Sequence, residues 1–371
     1  MKTTEEKSYV ERAYDYLHTI PEIGFEEFKT SKYIAEQLKS FGFDVVEEVG
    51  KTGVVGKLDA TEKGPVLAIR ADMDALQFEK DGEKYNVHAC GHDAHSAMVL
   101  ATAKNIAEKK IERGNLVVIF QPAEEKLDGS RSVIKSGYID EIEEIVGIHL
   151  RPIQEAKLGE ATPSLVHGTS YQIITKIKGL NAHGARPHLG VNAVDAAALV
   201  VNSINAIRLD PRVSHSIKVT RLIAGGDTIN LIPDEAELAM DLRAQTNEVM
   251  EEMILKAKEA IINSAKSIGA EAIIEFVGGV PAAQYNDEMT SVAYEAIKEE
   301  LGEVLEPLYT TGGEDFHFYT REMNVKSAYI GLGADLTPGL HHADMTFDKK
   351  ALSIGVNILN NVVKNRLGLK K

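Results

Sequence analysis

Hydrophobic and polar positions change period several times along the chain, and each change marks an element. Residues 8–18 and 27–41 carry apolar side chains at helical spacing, the second through Phe28, Tyr33, Ile34, Leu38 and Phe41. The turn between them holds Pro21 and Gly24, and His18 at its edge is expected to be structural. Residues 43–49 and 53–58 are rich in valine, and 65–70 are almost continuously apolar. An unbroken run of that length fits a strand covered on both faces, as in a sheet flanked by helices. Similar runs follow at 116–120, 145–148 and 327–332, and helices are expected over 97–106, 289–301 and 349–366. The pattern predicts an α/β domain, a mixed sheet covered by helices.

Residues 171–277 follow a different order. A strand at 171–178 leads to an alanine-rich helix at 191–208 and a strand at 216–224. Residues 235–243 alternate strictly, with Ala236, Leu238, Met240 and Leu242 on one face. A helix at 247–268 and a strand at 272–277 complete the series. The order β-α-β-β-α-β is the ferredoxin-like arrangement. It predicts a self-contained domain at 170–280, inserted into a first domain formed by 1–169 and 281–371.

Composition agrees with two soluble domains. The chain has 371 residues, 44% of them hydrophobic, enough for two cores. Its formal net charge of −15 argues against nucleic acid or an anionic membrane as partner. A single cysteine excludes an internal disulfide framework and fits a reducing compartment. The charged start, Met1 to Lys7, lacks the apolar core of a signal peptide, and no apolar run reaches the roughly 18 residues of a membrane span. A cytoplasmic protein is expected.

The candidate chemistry centres on residues 88–95, His-Ala-Cys-Gly-His-Asp-Ala-His, read as a loop before the 97–106 helix. Thiol and imidazole together suit borderline-soft metals. Gly91 allows the tight fold that would turn Cys90 and His92 to one point, and Asp93 or a nearby carboxylate could hold the far ring nitrogen of a ligating histidine. Three of the apolar strands then end in chemistry: the first in Arg70-Ala71-Asp72-Met73-Asp74, the second in Gln121-Pro122-Ala123-Glu124-Glu125, the third in His149. Open α/β sheets bind ligands at such strand ends. Cys90, His92, Glu125, His149 and either His341 or His342 offer more donors than a closed structural zinc site uses. They suit an open site or two metals roughly 3.5–4 Å apart, which would supply hydroxide at neutral pH. Of the adjacent glutamates, one can bind metal while the other, Glu124, moves protons. The inserted domain adds His183, Asn230 and Arg243; Arg243 is either in a surface ion pair or a two-pronged hold on a substrate carboxylate.

Taken together, these residues resemble the M20 family of metallopeptidases and amidohydrolases, in particular the branch acting on N-acyl amino acids. The likeness runs through Pro21-Glu22 with Phe25 and Glu27, Arg70 to Leu76, and Cys90 to His95. It continues through Gln121 to Glu125, Gly147-Ile148-His149, Gly179 to His188, Asn230 to Asp234 and Gly313 to Phe316. The resemblance implies two divalent metal ions (Zn, Mn, Co or Ni) held by Cys90, His92, Glu125, His149 and His341, with Glu124 as general base and acid. It implies that Asp72 supports the site, that His183 steadies the oxyanion, and that Asn230 and Arg243 hold substrate. The inserted domain would be a lid and a homodimer interface. Departures fall at the short charged stretch 77–88, near Arg151, at Asn181-Ala182 and at Leu340-His341-His342-Ala343. All border the pocket, so they bear on substrate identity. The implied reaction is hydrolysis of the amide of an N-acyl amino acid; a dipeptidase or aminopeptidase of the same class, or a non-catalytic relative binding an acylated ligand, are the alternatives.

Overall fold

The computed structural model describes residues 7–310 and 312–370. The expectation for the start of the chain, Met1–Glu6, lies outside them. Two compact units emerge: Met1–Val166 with Gln284–Tyr309 and Glu314–Lys371, and His167–Ala283 with Thr310–Gly313.

The larger unit is built on a seven-stranded mixed sheet. Across it the strands lie in the order Asp44–Val49, Gly53–Asp59, Arg113–Gln121, Glu62–Asp72, Glu144–Pro152, Lys326–Leu336 and Ala161–Thr162. The Arg113–Gln121, Glu62–Asp72, Glu144–Pro152 and Lys326–Leu336 strands run parallel, and antiparallel strands close both edges. Parallel neighbours need crossovers that lay helices over both faces, which is why their apolar runs are unbroken. Leu67, Ile69 and Ala71 pack with residues of the helices Tyr9–His18, His92–Lys109 and Lys350–Leu367, while Ala68 packs with Val133 and Tyr319 on the opposite side. The helix-covered mixed sheet expected from the pattern is the one observed.

Two local elements differ from the sequence reading. Residues 77–88 are an ordered hairpin, Leu76–Lys80 paired with Glu83–Val87, turning at Asp81 and Gly82, both at positive φ. Asp-Gly is the usual pair for such a turn, and the surrounding charge concealed it. The helix expected at 97–106 begins at His92 and runs to Lys109. Nearly its whole first half is buried, so it has no polar stripe to announce where it starts.

The smaller unit is a four-stranded antiparallel sheet in the order His215–Ala224, Glu235–Ala244, Thr169–Lys178, Glu271–Val280. The second, third, first and fourth strands thus lie side by side, the ferredoxin-like topology. Helices Ala193–Asn205 and Asn247–Ser267 cover one face, where Ala236, Leu238, Met240 and Leu242 meet Val200, Met253 and Ile261. The other face presents Lys176, Lys178, Glu235 and Arg243 to solvent. Among the described residues, no helix is long and apolar enough to cross a membrane.

Candidate active site

Parallel register brings the chemistry to the C-terminal ends of the central strands of the larger sheet. Asp72 pairs with Gln121, and Arg70 with Gly147, so Asp72–Asp74, Glu124–Glu125 and His149 emerge side by side. His92 enters from the first turn of its helix, entered through Gly91 at φ 84, a left-handed conformation that glycine adopts without steric cost. His92, Asp93 and His95 therefore project from a helix, where the sequence reading had a loop.

Donor atoms converge in overlapping groups. Those of Cys90, His92 and His149 lie within 4.8 Å of one another; so do those of Cys90, Glu125 and His341, and those of His92, Glu124 and Glu125. Cys90 Sγ is 3.5 Å from His149 Nε2, and His341 Nε2 is 3.2 Å from Glu125 Oε1. His341 faces the group, whereas His342 accepts the backbone N–H of Asp344 in its own turn. The imidazoles are oriented alike. His92 Nδ1 donates to the Asp74 carboxylate and carbonyl, at 3.1 and 3.0 Å, and His149 Nδ1 donates to the Leu150 carbonyl at 2.7 Å. Each Nε2 is then left to face the cluster.

The supporting carboxylates are distributed differently from the sequence reading. Asp72, expected to support the site from the strand end, accepts from His95 Nδ1 at 2.7 Å and from Arg70 at 2.6 Å, and lies 3.8 Å from His92 Nε2. His95 is no donor to the cluster, because its Nε2 accepts the Leu150 N–H. Asp93 turns away to His18, 2.6 Å from its Nδ1. The carboxylate that orients His92 is Asp74, which also accepts the backbone N–H groups of Glu124 and Glu125 at 3.2 and 3.0 Å. Asp72 and Asp74 share one strand end in the sequence, and only the fold decides which of the two turns toward His92.

Behind the glutamates lies a network invisible in the sequence. Arg70, fully buried, donates to Gln121, Asp72, Glu314, Asp315 and Tyr329. Carboxylate oxygens of Glu124, Glu314 and Asp315 lie within 4.8 Å of one another. Burial, reinforced by Glu314, Glu125 and Asp315, pushes the pKa of Glu124 well up. Burial likewise pushes the Cys90 thiol up to about 12. For His92, burial opposes charge, but Asp72 and Cys90 outweigh it and raise its pKa.

The three candidates in the smaller unit are not gathered together. His183 belongs to a two-residue strand, Ala182–His183, paired with Leu231–Ile232, and Gly184 donates to the Asn230 carbonyl, so His183 and Asn230 are neighbours. Arg243 stands near the opposite end of the Glu235–Ala244 strand, eight residues from Glu235 and thus roughly 26 Å along it. Its guanidinium donates to Asp241 through Nε and Nη2 at 3.0–3.2 Å, the surface ion pair of the two readings. Arg243 also lines a hollow of about 300 Å³ with Thr169, Ser214, His215 and Ser216.

Thiol, imidazole and carboxylate donors thus meet in one cluster able to hold metal, and the sequence profile described as peptidase family M20/M25/M40 matches residues 68–365. The chain belongs to this family. It is 34% identical over 357 residues to hippurate hydrolase of Campylobacter jejuni, covering 91% of each chain. It is 30% identical over 349 residues to N-acetyl-L-cysteine deacetylase of Bacillus subtilis, covering 91% of this chain and 83% of that protein. The solved structure of the Bacillus subtilis YXEP protein, described as a dinuclear metal binding peptidase from the M20 family, matches with a TM-score of 0.81 at 26% identity, over 96% of this chain and 97% of that one. This M20 protein is a metal-dependent hydrolase of amide bonds.

The cluster fits two divalent cations. His92 Nε2 is buried without a hydrogen-bond partner, a costly state for a polar atom that a ligated ion would relieve. The mixed donors suit late first-row divalent metals.

Proposed function

We propose that the protein hydrolyses N-acyl amino acids, releasing a carboxylic acid and a free amino acid. The observation that carries this reading is the different surroundings of two adjacent glutamates. Both approach His92 Nε2 to 4.0 Å, but Glu125 pairs with His341, while Glu124 turns toward Glu314 and Asp315. Glu125 is thus committed as a ligand with Cys90, His92, His149 and His341, and Glu124 is left to handle protons. Two divalent cations held by these five residues would polarise the acyl carbonyl, lower the pKa of water and counter the carboxylate crowding that raises Glu124. Glu124 takes the proton from the attacking water and delivers it to the amide nitrogen, so the amine leaves uncharged. Asp74 keeps His92 and both glutamates in register throughout, and Asp72 acts at one remove, through His95.

His183 would stabilise the oxyanion, Asn230 would hold the substrate, and Arg243, released from Asp241, would take its carboxylate with the hydroxyls of Thr169, Ser214 and Ser216 nearby. The roughly 26 Å that separate Arg243 from the His183 end of its strand are too far for one small substrate to span. That distance supports a homodimer formed through the inserted unit of residues 170–280, in which His183 and Asn230 serve the neighbouring subunit. A reducing cytoplasm, which keeps Cys90 a thiol, suits such a site.

The test is a panel of acetyl-, benzoyl- and indoleacetyl-amino acids with dipeptides alongside, given to chelated protein reloaded with Zn, Mn, Co or Ni. Turnover should vanish on chelation and return with metal. No turnover of any N-acyl amino acid by the reloaded protein would overturn the proposal, and a preference for dipeptides would reassign the substrate class.

A further inference from the structure

The turn that presents Glu124 has an unusual backbone, and its support comes from a distant part of the chain. Ala123 is in the left-handed region at φ 52, a conformation that a residue with a Cβ adopts only under constraint. The three successive N–H groups of Ala123, Glu124 and Glu125 go to buried carboxylates. Asp74 takes the last two. The first goes to Glu27, which is fully buried, accepts from Ala123 N at 2.8 Å through Oε1, and accepts from the Thr52 hydroxyl at 2.5 Å through Oε2.

Glu27 belongs to the stretch Glu22-Ile23-Gly24-Phe25-Glu26-Glu27, a motif with no chemistry of its own in the proposed reaction. This stretch lies against the end of the Glu62–Asp72 strand: Ile23 bridges to Ala75, and Ala75 N donates to the Glu22 carbonyl at 2.8 Å. Glu22 itself caps the following helix, accepting from the N–H groups of Lys29 and Thr30. Gly24 touches the turn directly. A Cβ there would come 2.8 Å from Ala123 Cα, 2.9 Å from its Cβ and 3.2 Å from Asp74 Oδ2. Phe25 lies under Lys126, whose Nζ is 5.6 Å from the ring centroid.

We propose that Glu27, with Gly24 beside it, is a positioning residue: it holds the strained Ala123 backbone so that Glu124 points at the reacting atoms. The reading of Glu124 as proton carrier underlies this, and the turn itself can be followed separately. Glu27 is in none of the converging donor groups. Its effect passes through one backbone hydrogen bond.

The experiment compares Glu27→Ala, Glu27→Gln and Gly24→Ala with the unmodified, metal-loaded protein, by kcat, KM, bound metal, melting temperature and amide exchange over residues 121–127. Glu27→Ala should speed exchange in that segment and lower kcat by about a hundredfold, the scale of an ångström's misplacement of a catalytic group, with KM and metal content little changed. Glu27→Gln keeps a carbonyl oxygen for Ala123 N–H and should recover most of the loss. Gly24→Ala pushes on the same backbone without deleting a buried charge, and should lower kcat in the same way; with Glu27→Gln it decides the matter if Glu27→Ala does not fold. Faster exchange at 121–127 with undiminished kcat in these variants would overturn the proposal, as would losses that follow metal content or melting temperature alone. If the unmodified protein hydrolyses no amide, the role given to Glu124 falls, and the exchange data still decide whether Glu27 holds the turn.

Discussion

Asp74 Oδ1 lies 3.1 Å from His92 Nδ1. The same carboxylate takes the backbone N–H groups of Glu124 and Glu125, so one buried side chain ties a helix-borne donor to the turn that follows another strand. Losing it should disturb the metal and the proton carrier together. Asp74→Ala is expected to weaken metal binding by about 10- to 100-fold, the usual effect of removing a partner behind a ligand. Metal titration of the chelated variant measures this; unchanged affinity would remove Asp74 from its role.

Glu124→Gln is expected to keep its metal and lose about two to four powers of ten in kcat, the weight of a well-placed acid–base group. Near-normal turnover with metal bound would show that protons travel by another route.

Metal binding should release protons. The Cys90 thiol is pushed up to about 12 by burial, and His92 is raised by Asp72 and Cys90 against the opposing effect of its burial. The thiol keeps its proton at neutral pH in the metal-free protein and must give it up to ligate, so affinity should strengthen as pH rises. Calorimetry in buffers of different ionisation enthalpy measures the number released, and no buffer dependence would contradict the expectation.

His18 Nδ1 is 2.6 Å from Asp93 Oδ2. This hydrogen bond raises the pKa of His18, burial opposing it. The protonated ring therefore stabilises the fold fully below its unfolded value of about 6.5, and the contribution fades as pH rises through the higher folded value. His18→Gln should lower the melting temperature more in mildly acidic solution than in alkaline solution. An equal loss at both would mean that the pair does not act through charge.

Arg243→Ala and His183→Ala should each be nearly inactive alone. In the proposed dimer, where His183 serves the neighbouring subunit, one of the two sites of a mixed dimer has both groups, so mixing under conditions that exchange subunits should restore activity. Failure to regain it despite proven exchange would place both residues in a single-chain site or in none.

Sequence alone was enough for the larger features. Unbroken apolar runs at 65–70, 116–120 and 145–148 mean strands buried on both faces, because no solvated face tolerates such a run. Strict alternation over 235–243 means a sheet with one open face. Glu125 and His149 beyond two of these runs, Cys90 and His92 in the 88–95 octet, and His341 or His342 near the end of the chain were the donors the sequence offered. Tertiary structure decided what depends on direction and on distant partners. It set His92 on a helix whose buried flanks hide its start, gave His92 to Asp74 while Asp72 went to His95, and sent Asp93 to His18. It surrounded Arg70 with acceptors up to 259 positions away in sequence, and kept Arg243 apart from His183. Periodicity records which face of an element is buried. It carries no record of which buried polar atom meets which, since those pairings form only when strands and helices from remote parts of the chain pack together.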